Sequence, residues 1–381
     1  MSIRGSQSVS LAPEEIEFAE LRLHPSFLLR NDAVLTVFPL CITPVIEIEP
    51  DAWSYFYGYI AKIRKRDCCN IFYGNYWLFR LLCCIFSNKP LCCEAMDNPI
   101  CLITGANAGI GRVTALELAK KGMYLLLVCR NRRKGEAVQQ EIQRLSPTCK
   151  TDLYICDLAD LDAVASLVAT VKQQHPRLDI LINNAGVIVE SFQISAQGFE
   201  STFAVNHLAP FLLTNLLLDL LKKSSAARII TVASEAHRWA KFDLNQLASP
   251  AKFNGLRAYA NSKLANILFT KALAGQLLQT GITANSLHPG AVQTSFASGN
   301  KDWYSRFFQL MRPFFITPEK GAETTIYLAD SEEVNDKTGL YFDKKKPRTP
   351  SADAQSEYYA QKLWELSRQL TDLDKRLLSL S

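Results

Sequence analysis

The stretch ICLITGANAGIGRVTALELAKKG, residues 100 to 122, holds two different periods joined by a loop rich in glycine. Its first five residues form a short apolar run, as a strand buried on both faces requires. From Ile110 onward the apolar side chains recur at helical spacing, and Gly122 marks the place where that helix ends. Between the two, Gly105, Gly109 and Gly111 stand in the order G-x-x-x-G-x-G. Glycines here permit a tight turn and let the backbone approach a pyrophosphate, whose charge the free N–H groups at a helix start stabilise. The spacing is not the G-x-G-x-x-G of the dinucleotide fingerprint. Many helices follow a glycine, so the loop takes its meaning from its place between a first strand and a first helix.

Downstream the alternation repeats. Strand-like runs fall at MYLLLVC (123–129), TDLYICD (151–157), LDILIN (178–183), RIITVAS (228–234), TANSLHP (283–289) and GLYF (339–342). Helical patterns separate them: a polar one from about Arg133 to Leu145, then DLDAVASLVATVKQQ, FAVNHLAPFLLTNLLLDLL, AYANSKLANILFTKALAGQLL and PEKGAETTIYLAD. Near-continuous apolar strands alternating with helices predict a parallel sheet covered on both faces. The expected fold class is α/β, a single doubly wound parallel-sheet (Rossmann-type) domain, with its ligand at the carboxyl ends of the strands. No internal repeat is visible.

Upstream the pattern is absent. Residues 1–95 mix aromatics, paired cysteines and the basic run KIRKR without a sustained period, and seven of the eleven cysteines precede Met96. Three readings stay open: a peripheral membrane arm with Lys62, Arg64, Lys65 and Arg66 at lipid headgroups and Cys83, Cys84, Cys92 and Cys93 as acylation sites; an extension that covers part of the domain; or a working polypeptide that begins at Met96. The first twenty residues lack the apolar core of a secretory signal. The longest early apolar runs, of 14 and 16 residues, fall short of the roughly 20 that a spanning helix needs. Cys101, Cys129, Cys149 and Cys156 lie in or beside apolar runs and read as reduced, buried thiols of a reducing compartment, so the expected location is cytoplasmic, with peripheral contact to a membrane left open. Against 37 acidic residues there are 42 basic ones, an excess too small to suggest nucleic acid as a partner.

Two stretches carry chemistry. The second strand ends in VCRNRRKGE, where an NAD site would place Asp or Glu on the ribose 2′-OH. Here stand Arg130, Arg132, Arg133 and Lys134, and Arg112 follows the third glycine, so a 2′-phosphate would meet cations from two sides. The missing acid favours NADP(H); the plainer alternative is a solvated basic helix start. In YANSK, Tyr259 and Lys263 lie four apart and face the same way on a helix. A phenol with an ordinary pKa of about 10 needs a neighbouring ammonium to exchange protons near neutrality. Ser234, ending RIITVAS, can hydrogen-bond a substrate carbonyl oxygen. His207, His237 and His288 lack ligand spacing and read as structural or surface residues rather than metal ligands, and DKKKPR (343–348) reads as a solvated tail.

From about Asn98 to the end, the chain resembles the short-chain dehydrogenase/reductase family. The glycine loop, NNAG (Asn183 to Gly186), the Ser234, Tyr259 and Lys263 set and HPGAVQT match in order. VCRNRRKGE, ICDLADL, GFESTFAVNHLAPFLLTNLLL, SEAHR and YANSKLANILFTKALA resemble its retinol dehydrogenase-like branch. The resemblance implies a catalytic domain over 96–381 and residue roles within it. Tyr259 would be general acid in carbonyl reduction and base in alcohol oxidation. Lys263 would lower the tyrosine pKa and bind the nicotinamide ribose, Ser234 would polarise the carbonyl, and Asn206 would hold a water in the proton relay. Cofactor contacts would come from Gly105, Asn107, Gly109, Ile110, Gly111, Arg112, Arg130, Asp157, Leu158, Asn183, Ala185, Gly186, Pro289, Gly290 and Thr294. Ala209 and Pro210 depart from the family pattern and read as remote from the catalytic set.

Family members carry a lid where SFASGNKDWYSRFFQLMRPFFITP (295–318) lies. Its aromatics would wall a site for a small lipophilic carbonyl or alcohol such as a retinal, a steroid or a long-chain aldehyde; core packing or a homodimer contact is the alternative. The expected function is NADP(H)-dependent interconversion of such an alcohol and carbonyl. A reductase of small or xenobiotic carbonyls and a non-catalytic NADP(H)-binding scaffold are the competing readings.

Overall fold

The computed structural model describes residues 98–290 and 316–380. The N-terminal extension, Thr294 and the aromatic segment as far as residue 315 lie outside the described residues. What is described belongs to a compact unit, Met96–Ser381.

Among the described residues eight strands form one sheet in the order β3-β2-β1-β4-β5-β6-β7-β8. They are β1 Ile100–Thr104, β2 Tyr124–Cys129, β3 Thr151–Ile155, β4 Ile180–Asn183, β5 Arg228–Val232, β6 Thr283–His288, β7 Tyr341–Asp343 and β8 Lys346–Pro347. The first seven run parallel. Leu102 of β1 pairs with Leu126 on one side and Leu181 on the other, and these three point to one face. Cys101, Ile103, Leu125, Leu127, Ile180 and Ile182 point to the opposite face. Both sets are buried, which is why the strands read as unbroken apolar runs.

Helices α1 Gly109–Lys120 and α2 Arg132–Leu145 cover the second face. The first face is covered by α3 Leu161–Gln174, α4 (201–216) and α5 Gly255–Gln276. Helix α6 Pro318–Asp330 returns to the second face. The chain leaves β1 toward β2 and β3, then crosses back to β4 on the other side of β1. That reversal opens a crevice at the carboxyl ends of β1 and β4, the place where open α/β sheets bind ligands.

The long helix expected around FAVNHLAPFLLTNLLLDLL is divided. Helix α4 consists of Ser201–Phe203, a π turn Ala204–Leu208 and Ala209–Leu216, with Leu218–Leu221 following separately. Pro210 has no N–H to give the Asn206 carbonyl four residues back, and the Ala209 N–H bonds to the carbonyl of Ala204, five back. The end of the chain also corrects the expectation. DKKKPR is exposed from Lys344 to Arg348, as expected, but it is not a tail: β8 folds antiparallel onto β7, and Arg348 bridges Asp343 and Glu235. Helices α7 Glu357–Leu370 and α8 Leu373–Leu380 follow and bury Leu363 and Leu373 in the first-face core.

Candidate active site

The described backbone segments expected to touch a ligand all leave the sheet at its carboxyl edge. Gly105 follows β1, Arg130 follows β2, Asp157 and Leu158 follow β3, Gly186 follows β4, Ser234 follows β5, and Pro289 and Gly290 follow β6. The loop after β1 is packed against the loop after β4. Thr104 Oγ1 accepts the N–H groups of Asn184 and Ala185 at 3.0 and 3.1 Å, and Asn184 Nδ2 donates to the Thr104 carbonyl at 2.8 Å. Gly105 takes a φ of +68°, and a Cβ on Gly111 would lie 2.3 Å from the Gly105 oxygen and 2.4 Å from Asn184 Nδ2. Only glycines fit so close an approach. Ala108 precedes helix α1 as its N-cap and offers no side-chain bond, and no acid lies in the first turn. Its opening N–H groups are left for an outside acceptor, as a phosphate would be.

Asn183 is placed beneath this crevice: it is buried and its amide donates to Thr214 Oγ1 of α4 at 2.9 Å. Asn184 and Thr104 do the work of shaping the loop, and the sequence reading passed over both. The doubled Asn of NNAG was the available signal.

At the start of α2, Asn131 caps the helix by accepting the Lys134 N–H, and no acid occupies the first turn. Arg132, Arg133 and Lys134 stand at a helix end where the macrodipole disfavours cations. Arg130 is 76% exposed and 3.9 Å from Asp157. Arg112 is bound through two nitrogens to Glu141.

The helical residues converge from the first face. Lys263 is 3% exposed, its Nζ donates to the Val232 carbonyl at 2.9 Å, and it lies 5.7 Å from the centre of the Tyr259 ring. Burial lowers its pKa to about 8. A Cβ on Gly186 would come within 3.2 Å of Nζ and 3.4 Å of Asn206 Oδ1, so that glycine leaves room where Lys263 and Asn206 meet. Burial pushes the Tyr259 phenol up, and a hydrogen bond with the Ser234 side chain draws it back.

Asn206 sits in the π turn, fully buried. Its Oδ1 accepts the Val187 N–H at 2.7 Å, and its Nδ2 donates to the Val187 carbonyl and to Ser262 Oγ, both at 2.9 Å. Ser262 in turn donates to the Tyr259 carbonyl at 2.8 Å. The Asn206 amide therefore ties the loop after β4 to the tyrosine-bearing turn of α5 and has no hydrogen left for a water. Ala209 and Pro210, read as remote, belong to the turn that shapes this residue. His207 next door is buried against Phe203, with ring centres 5.0 Å apart, and bonds Ser367 Oγ of α7 at 2.8 Å. Among the described residues no cluster of His, Cys, Asp or Glu could hold a metal ion.

The chain is similar to known proteins over most of this domain. A family model described as short chain dehydrogenase matches residues 99–305. Retinol dehydrogenase 13 of Homo sapiens is 40% identical over 279 residues, which is 72% of this chain and 84% of that one. Retinol dehydrogenase 14 of Homo sapiens is 38% identical, covering 74% of this chain and 88% of that one. A short chain dehydrogenase from Escherichia coli CFT073, solved as a complex with NADPH, superposes with a TM-score of 0.53 at 27% identity over 66% of this chain and 98% of that one.

Proposed function

Because the chain belongs to the short-chain dehydrogenase family, in its retinol dehydrogenase-like branch, we propose that residues 96–381 are a catalytic domain that interconverts a lipophilic alcohol and its aldehyde or ketone with NADP(H). The observation that carries this reading is the meeting of Tyr259, the buried Lys263 and Ser234 at the carboxyl edge of the sheet, beside a glycine cradle.

The cradle fits a dinucleotide. Gly105 turns at a positive φ and Gly111 lets α1 pack onto the Gly105 carbonyl, which sets the uncapped start of α1, with its N–H groups, where a pyrophosphate would lie. Arg132 lies 3.8 Å from Glu136 one turn on, whereas no acid stands in the first turn of α2 beside Arg133 and Lys134, and a 2′-phosphate there would offset their repulsion from the helix dipole. That favours NADP(H) over NAD(H). Bound in this way, the nicotinamide supplies or takes the hydride.

The chain's own residues handle the proton and the carbonyl oxygen. Ser234 Oγ would donate to that oxygen and hold it beside Tyr259, whose phenol gives up its proton as the oxygen gains charge. Lys263 keeps positive charge under the ring, and with a pKa near 8 it remains largely protonated at neutral pH while able to exchange. Asn206 holds the Val187 loop against α5 so that Tyr259, Lys263 and Gly186 keep their spacing. Any water in the relay would bind its main-chain carbonyl, which Pro210 leaves without an α-helical donor.

The lipophilic substrate class rests on the relatives, which are named retinol dehydrogenases. Among the described residues no helix is long and apolar enough to cross a membrane. The test is oxidation of NADPH and of NADH by the full chain with all-trans-retinal and aldehydes graded by chain length. NADPH-dependent rates that rise with chain length are expected. Highest rates on short carbonyls would replace this reading with that of a small-carbonyl reductase, and NADPH binding without turnover would replace it with that of a scaffold.

A further inference from the structure

Ser234 and Glu235 are joined by a peptide unit whose two polar groups are both held by imidazoles. The Ser234 carbonyl accepts from His237 Nδ1 at 2.7 Å and from the backbone N–H of the same residue at 3.1 Å, and the Glu235 N–H donates to His288 Nδ1 at 3.1 Å. Taking this peptide from both sides fixes its plane, and with it the backbone angle that aims the Ser234 side chain. We propose that His237 and His288 are positioning residues that orient the Ser234 hydroxyl for the substrate carbonyl. The inference rests on the reading of Ser234 given above.

The bonding also fixes the state of each ring. A carbonyl can only accept, so His237 Nδ1 carries the hydrogen. His237 Nε2 accepts the backbone N–H of Ser351 at 3.1 Å, so that nitrogen is bare. His237 is therefore neutral and in one tautomer. His288 Nδ1 faces an N–H donor and is bare for the same reason. The His237 ring is 1% exposed and stands edge-on to Tyr341, with centres 5.2 Å apart. The Ser234 hydroxyl itself accepts the Ala236 N–H at 3.2 Å, which places it at the head of the short turn Glu235–Trp239.

A second layer comes from the end of the chain. Arg348 and Arg238 both pair with Glu235, Arg348 also pairs with Asp343, and the Tyr341 hydroxyl donates to Glu235 at 3.2 Å. These are the charged and titratable groups that face the two imidazoles. Burial is the main cause that keeps both histidines below the ordinary imidazole pKa; for His237 the Ser234 carbonyl opposes it, and for His288 the carboxylates of Asp343 and Glu235 oppose it. A proton gained in acid would turn an acceptor into a donor pointed at an N–H, at Ser351 for one ring and at Glu235 for the other.

Ser351→Pro probes the far side of the ring. Residue 351 has a φ of −64°, which proline adopts, and its hydroxyl has no hydrogen-bond partner, so the variant acts at His237, where it removes the donated N–H and sets the ring Cδ against Nε2 in its place. His237→Phe removes both bonds, whereas the amide of His237→Gln can donate to Ser234 and accept from Ser351. The full chain and these variants would be assayed for kcat and KM with an aldehyde, for NADPH affinity and for the pH profile, with Ser234→Ala beside them. His237→Phe and Ser351→Pro are expected to lose about 10- to 100-fold in kcat with NADPH affinity held within about twofold. His237→Gln is expected to recover most of that loss and to make the acid limb of the kcat profile shallower. If Ser234→Ala loses activity while Ser351→Pro and His237→Phe keep the wild-type kcat, the positioning role is overturned and the catalytic reading stands. If Ser234→Ala itself turns over normally, the catalytic reading fails first.

Discussion

Lys263→Met should make the protein more stable and less active. Burial lowers the lysine pKa from its ordinary 10.5 to about 8, a difference of about 2.5 units that disfavours the charged folded form by about 3 kcal/mol at pH 7. Methionine removes that penalty and fills similar space. It also removes the bond to the Val232 carbonyl, which Asn266 Nδ2 approaches at 3.5 Å, a loss of about 1 to 2 kcal/mol. The net expectation at pH 7 is a gain of about 1 to 2 kcal/mol. The pH dependence is more diagnostic than the gain itself. The unfolded chain holds the lysine proton up to its ordinary pKa, whereas the folded chain releases it near 8, so wild-type stability rises with pH across that window. The advantage of the variant should shrink over the same interval. Urea unfolding of both proteins without cofactor, at pH 7 and pH 9.5, measures it, while carbonyl reduction should fall at least about 100-fold. A variant less stable than wild type at pH 7, with no change in the difference at pH 9.5, would refute the claim that this buried ammonium is held at a cost.

Three further outcomes follow from the same geometry. Gly111→Ala would press a Cβ onto the Gly105 oxygen and Asn184 Nδ2, and NADPH titration should show at least about tenfold weaker binding with an unchanged circular dichroism spectrum; affinity within twofold would argue against the cradle. Asn206→Asp would set a carboxylate against the Val187 carbonyl and remove two donated bonds, so a loss of about 2 to 4 kcal/mol in unfolding free energy is expected, and a loss below 1 would contradict the described clamp. Cys101, Cys129, Cys149 and Cys156 are buried with thiols raised mainly by burial, Cys156 to about 12, so alkylation of the native protein should leave these four unmodified by peptide mass spectrometry.

The glycine loop, the strand alternation and the Tyr259 and Lys263 pair were legible because each depends on neighbours close in sequence. Spacing within one helix is enough to put Tyr259 and Lys263 on one side, and a buried parallel strand declares itself by an unbroken apolar run. What was not legible depends on distant partners. The bond of Arg112 to Glu141 joins α1 to α2, and the contact of His207 with Ser367 reaches from α4 to α7. No periodicity records either pairing. His237 and His288 looked idle for the same reason, since their partners come from a β-strand end, a turn and residue 351. The break in α4 had a local sign, Pro210, whose missing N–H bears on Asn206 four residues earlier. Helix α7 also had one: Ala360, Leu363 and Ser367 are buried at helical spacing, but the basic run before it drew the reading toward a tail.

The central claim is that this chain reduces a lipophilic carbonyl by hydride transfer from NADPH with Tyr259 as the acid. The most direct measurement is retinol formed from all-trans-retinal and NADPH by the full chain and by Tyr259→Phe, quantified by chromatography alongside NADPH affinity. The account predicts retinol from the wild type, loss of turnover in the variant and nearly equal NADPH binding by both. Undiminished turnover by Tyr259→Phe would contradict it.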